Sequence, residues 1–130
     1  MAEPARKIPA PIPTPETAPF LEAAGKGKLL VKRCAACGRA HHYPRPICPF
    51  CGSDRTEWLE ASGRGLVYSF SVMRRATPPY AIAYVTLDEG PTMMTNLVDC
   101  DFDALRIGQP VRVVWMPTDG GPPVPAFTPR

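Results

Sequence analysis

The chain has 130 residues, of which 45% are hydrophobic and 21% charged, with a formal net charge of +3 and five cysteines. That length suits one domain or two very small ones. No apolar run approaches the roughly 18 residues of a membrane span, and no apolar segment near the start reads as an export signal. The sequence therefore predicts a cytoplasmic protein whose cysteines are metal ligands rather than disulfides.

Charge is unevenly spread. Residues 1–64 hold ten Lys and Arg against six Asp and Glu, and residues 65–130 hold five against six. Nucleic-acid binders cluster basic residues on one face, so this balance makes a weak case for such a partner. A four-thiolate zinc site would add a net −2, leaving about +1.

Residues 1–19 contain six of the 18 prolines. Proline fixes φ and removes a donor, so residues 1–14 read as a flexible tail or an extended arm on a partner. Residues 15–33 read as a short helix and a lead-in strand. Thr14 can cap with Pro15 in the first turn, or Thr17 can cap with Pro19. Phe20, Leu21 and Ala24 form the apolar side, and Gly25 is the stop. "KLLVKRC" then runs as a strand into the first cysteine.

Residues 34–62 hold "CAACGRAHHYPRPICPFCG" and its exit. Cys34 and Cys37 form one CxxC, Cys48 and Cys51 another, and each pair is followed by glycine. Four thiolates at this spacing match a closed tetrahedral Zn²⁺ site, with iron in a rubredoxin-like site as the alternative. A closed site leaves no open position for catalysis. Chelation is expected to unfold residues 34–52 and leave much of the rest standing. His41 and His42 read as solvent-facing loop residues, since the ligand set is already complete. Trp58 and Leu59 follow and are expected to pack under the cysteine module. Cys100, flanked by Asp99 and Asp101, reads as inert.

Residues 63–130 read as strands between Gly/Pro turns. "LVYSFSVMRR" places Tyr68, Phe70 and Val72 on one face. "YAIAYVTL" and "TMMTNLVD" follow, separated by "DEGP". "DFDAL" reads as one helical turn capped by Asp101. "VRVVWM" places Val111, Val113 and Trp115 on one face, and "VPAFTP" is an extended tail that adds an edge strand. The count and the helical insert predict a mainly β protein: an N-terminal helical segment, a zinc ribbon, then a five-stranded barrel of the OB type. No Ser/His/Asp set or glycine-rich phosphate loop is visible. Arg74 and Arg75, at a strand end, are candidate phosphate contacts.

The succession "PFLEAAGKGKLLVKRCAACG", "CPFCG", "WLEASGRGLVYSFSVM", "PYAIAYVTLDEGPTMMTNLVD", "IGQPVRVVW" and "VPAFTP" resembles the acyl-CoA-associated OB-fold proteins with a rubredoxin-like zinc ribbon. The resemblance spans roughly residues 15 to 130. It implies a structural zinc on Cys34, Cys37, Cys48 and Cys51. It also implies a non-catalytic accessory subunit that docks on a thiolase-like enzyme, an aldolase or a hydratase in acyl-CoA metabolism. CoA or acyl-CoA is the implied ligand, with Arg74 and Arg75 as its phosphate contacts. The alternative function is a single-stranded nucleic-acid binder that stacks bases on Tyr68, Phe70, Tyr80 and Tyr84.

Overall fold

The computed structural model describes residues 7–130. One helix, α1 (Ala18–Ala24), precedes eight strands: β1 (Leu30–Cys34), β2 (Ala40–His41), β3 (Thr56–Glu60), β4 (Arg64–Met73), β5 (Tyr80–Leu87), β6 (Thr92–Leu97), β7 (Pro110–Met116) and β8 (Val124–Pro129). The helix starts at the second of the two anticipated places. Thr14 instead holds a turn, its carbonyl accepting from the Thr17 and Ala18 N–H groups. Pro19 then sits in the first turn, where its missing N–H costs nothing. Ala23 and Ala24 are buried and Phe20 and Leu21 half-buried.

The strands form two sheets. β2-β1-β3 is antiparallel, and β4-β5-β6-β8-β7 closes into a five-stranded barrel. The predicted edge strand is not at an edge. β8 pairs along its whole length with β7, and Leu97 of β6 meets Phe127 in parallel. Closure satisfies both rows of backbone groups, so the last strand becomes the seam of the barrel. Phe127 is fully buried there with Leu97, Val111, Val85 and Val67. Each such side chain contributes about 1.5–3 kcal/mol by leaving water.

Alternation on β4 is interrupted. Val67 pairs with Val85 and Ser69 with Tyr84, so one extra residue bulges between them. The bulge turns Tyr68 outward, 67% exposed, while Phe70 and Val72 pack on the core. The expected common face of Tyr68, Phe70 and Val72 is therefore split, because a bulge reverses the two-residue period.

Gly65 explains why the strand starts as it does. It is paired with Leu87 on one side and Val111 on the other. A Cβ there would sit 2.6 Å from the Thr86 carbonyl oxygen and 2.7 Å from Val85 Cγ1. Gly65→Ala is expected to cost about 1–3 kcal/mol in urea unfolding, the usual range for overpacking. A change below 0.5 kcal/mol would mean the walls of β5 yield.

The two sheets are not separate bodies. Leu29, Val31 and Ala61 belong to the same buried cluster as the barrel residues, and Leu59 packs against it. Near the start of the chain, Ile8 accepts from the Asp119 N–H at 2.9 Å, and Pro9 bridges to Asp119. That part of the proline-rich stretch thus lies along the barrel. Residues 1–6 of the predicted tail lie outside the described residues.

Candidate metal centre

The two CxxCG segments fold into matching turns. In the first, Gly38 donates to the Cys34 carbonyl at 2.8 Å and Cys34 donates to the Arg39 carbonyl at 2.9 Å. In the second, Gly52 donates to the Cys48 carbonyl at 2.9 Å and Cys48 to the Ser53 carbonyl at 2.8 Å. Both glycines are left-handed, with φ of 76° and 80°. A side chain would be strained there, which is why each knuckle carries glycine after its second cysteine.

These turns aim backbone donors at sulfur. The Cys37 N–H points at Cys34 Sγ and the Phe50 N–H at Cys48 Sγ, both at 3.4 Å. All four Sγ atoms lie within 4.8 Å of one another, with Cys34···Cys51 at 3.6 Å and Cys37···Cys48 at 3.7 Å. A tetrahedron with Zn–S bonds of about 2.3 Å has edges of about 3.8 Å. The arrangement fits the metal, and it is too wide for a disulfide at about 2.05 Å.

Electrostatics agree with a cation. The Cys37 N–H draws the Cys34 thiol down to about 6, against the opposing effect of burial. At Cys51 the Ser53 N–H pulls downward. Hydrogen bonding to Cys34, burial and the remaining thiols outweigh it and push the group up to about 11. Each thiolate formed makes the next harder to form, and a dication removes that conflict. When bound, zinc supplies a crosslink between the knuckles.

Other candidates separate from this centre. Cys100 is half-buried, and burial together with Asp99 and Asp101 pushes its thiol up, as an inert residue requires. Asp101 caps the single helical turn at Phe102–Ala104, its carboxylate accepting from the Asp103 N–H at 3.0 Å. Arg74 pairs with Asp103 at 2.7 Å, both side chains being well exposed, and Arg75 is exposed beside it. Trp58 lies on β3 beneath the Lys32 ammonium, 4.5 Å from the ring centre.

The histidines differ from the sequence reading. His41 sits on β2 and is only 6% exposed. His42 packs edge-on against Phe20, with ring centres 5.8 Å apart. Both His41 nitrogens and His42 Nδ1 are buried without a hydrogen-bond partner. Burial lowers both, holding His42 at about 4, and so both rings are neutral at pH 7. For His42 the cover is Phe20 of α1, and His41 shares a cleft with Glu89, Gly90 and Pro91 of the turn after β5, contacts that no local pattern around "HH" encodes.

Comparison with known proteins divides the chain within β3. Residues 21–57 match the ChsH2 rubredoxin-like zinc ribbon domain, and residues 58–116 match the ChsH2 C-terminal OB-fold domain. A DUF35 domain-containing scaffold protein of Methanothermobacter thermautotrophicus is 37% identical over 94 residues, which are 67% of this chain and 71% of that protein. The chain belongs to the ChsH2-type DUF35 family. Similar to this DUF35 chain is a probable enoyl-CoA hydratase alpha subunit of Thermomonospora curvata, 39% identical over 126 residues. That match covers 93% of the DUF35 chain but 40% of the hydratase subunit, so the chain spans less than half of that relative's length. Among solved structures, a chain of the Ltp2-ChsH2(DUF35) aldolase superposes with a TM-score of 0.79 at 39% identity. The superposition covers 92% of this chain and 98% of that one. No helix among the described residues is long and apolar enough to cross a membrane.

Proposed function

We propose that this chain is a non-catalytic accessory subunit in acyl-CoA metabolism that docks on a thiolase-fold, aldolase or hydratase enzyme subunit in the cytoplasm. One observation carries the reading. Ribbon and barrel together match, almost end to end, a chain of the Ltp2-ChsH2(DUF35) aldolase. The metal centre supports an architectural role. Four protein thiolates fill a tetrahedron and leave no position for substrate. The zinc then holds the two knuckles of the ribbon together, Leu29 and Val31 anchor the ribbon sheet in the barrel core, and the barrel and helix present the docking surface.

CoA is the ligand this reading implies, shared with the enzyme subunit. Arg74 and Arg75 stand at the end of β4, where two guanidinium groups can meet phosphate. The exposed Arg74–Asp103 pair is worth about 0–1 kcal/mol, so a phosphate can compete for Arg74. Arg75 makes no ion pair among the described residues and is the stronger of the two candidates.

The nucleic-acid reading has less support. Tyr84 is exposed, as stacking requires, but β5 and β6 carry no Lys or Arg to neutralise phosphate. Expression of the tagged chain in its own host, with mass spectrometry of what co-purifies, tests the accessory reading. A stoichiometric thiolase-fold, aldolase or hydratase subunit is expected, and its absence would sink the reading. Titration of CoA into that complex, with Arg75→Ala for comparison, tests the phosphate contact; an unchanged affinity removes it.

A further inference from the structure

Leu66 and Tyr68 on β4, Tyr84 on β5 and Met94 on β6 are each between 46% and 67% exposed. They are neighbours. Tyr84 stands directly opposite Met94, and across the bulge it pairs with Ser69, the residue after Tyr68. β5, "YAIAYVTL", and β6, "TMMTNL", contain no Asp, Glu, Lys or Arg. Scattered exposed apolar residues need no explanation, but a contiguous uncharged wall does.

The wall continues beyond the barrel. Met94 lines a cleft with Phe20 and His42, and those two line a second cleft with Ile12 and Tyr43. Ile12 is 87% and Tyr43 57% exposed. One apolar path thus runs from β4 across β6 and α1 to the ribbon. On β5 and β6 tyrosine and methionine stand without charge, the composition found at the centre of protein interfaces, and the first cation comes at the far end, where Arg45 lies 4.6 Å over the Tyr43 ring, as at a rim.

We infer that this path is the surface that seats the enzyme subunit, and that the enzyme presents to it a concave surface that is uncharged and apolar where it meets β5 and β6. The inference rests on the accessory-subunit reading and specifies where that contact is made. Area argues against a second copy of this chain. Three strands about 4.8 Å apart and some 20 Å long give a strip of roughly 200–300 Å². Two convex barrel walls meet along little more than that, whereas a stable interface needs about 800 Å² per partner. A concave partner that reaches from β4 to Tyr43 can cover the whole path. Absence of cations on β5 and β6, the middle of the path, argues against a phosphate backbone as the occupant.

The test uses the enzyme subunit that co-purifies with the wild-type chain. Met94→Glu and Tyr84→Lys place opposite charges on the wall. Glu57→Lys reverses a charge on β3, which lies in the other sheet and pairs only with β1. All three sites are exposed, and circular dichroism with zinc content checks that each variant folds. Both wall variants are expected to weaken the complex at least 100-fold, whichever sign they carry, and Glu57→Lys to stay within threefold. If the complex survives both wall variants, the docking surface is elsewhere and the accessory reading stands. If no enzyme subunit is retained by the wild type, the accessory reading falls and this inference with it. Sedimentation equilibrium showing a wild-type dimer that Met94→Glu dissolves would assign the wall to a second copy and overturn the proposal.

Discussion

Removal of the metal by a chelator is expected to abolish amide protection in residues 34–54 while the barrel stays folded at a lower melting temperature. The knuckles have little else to hold them. Cys34 and Cys48 are buried, but Cys37 and Cys51 are exposed, and Tyr43, Ile47 and Phe50 face solvent. A segment of this size does not bury enough apolar surface to fold unaided. The barrel is affected because Leu29 and Val31 enter its core from the strand that leads into Cys34. Partial release of those two side chains costs about 3 kcal/mol, which for a domain of this size lowers the melting temperature by about 10–15 °C. Cys34→Ser and Cys48→Ser should reproduce the effect, and Cys100→Ser should change neither zinc content nor stability by more than about 0.5 kcal/mol. Hydrogen exchange, elemental analysis and thermal circular dichroism report the three quantities. An unshifted barrel transition would show that ribbon and barrel share a boundary but not a core. A purified protein that is red and contains iron would change the metal without changing the fold.

The second large effect concerns pH. His42 is held at about 4 by burial, with a contribution from His41, whereas an unfolded histidine titrates near 6.5. Between those values the unfolded chain takes up a proton and the folded chain does not. Stability is therefore fully present above about pH 6.5 and falls as pH drops, by about 3 kcal/mol once pH is below 4. His41 is lowered as well and acts in the same direction. Protons also compete with the metal for the thiolates in this range, so the informative quantity is a difference. His42→Phe keeps an aromatic ring against Phe20 and removes the titration. Relative to wild type it is expected to gain about 2–3 kcal/mol on going from pH 7.5 to 4.5, measured by urea unfolding. A constant difference between the two proteins across that range would mean that His42 is solvated in solution.

Function was less legible than fold. Apolar residues on β5 and β6 announced strands, yet the same letters served equally well as core or as interface. Tyr84 and Val85 are adjacent and both suit a strand, but Tyr84 is exposed and Val85 fully buried. The spacing of Tyr68 and Phe70 predicts one common face, and only the bulge sends Tyr68 outward. The histidines offered even less, because His42 is covered by Phe20, 22 residues earlier, and His41 faces the turn at Glu89–Pro91, far along the chain. Arg74 and Arg75 were visible as a cationic pair, while the exposed carboxylate that meets Arg74 lies 29 residues away in sequence.

By itself the sequence determined the metal clip, the strand-rich second half and the helical turn at Asp101. Each of these is announced over a few residues, where spacing and residue type decide backbone geometry, even though the two knuckles meet 17 residues apart: CxxCG places two sulfurs and a left-handed glycine, and Asp101 reaches an N–H two residues on. Tertiary structure alone decided that β8 closes the barrel, that Val31 joins the barrel core, that His41 is buried and His42 packs on Phe20, and that an uncharged wall faces outward. Those outcomes depend on which strands meet across long stretches of chain, as when Leu97 finds Phe127. Burial is a property of such meetings, and a pattern of apolar letters does not say which side of the barrel each letter will face.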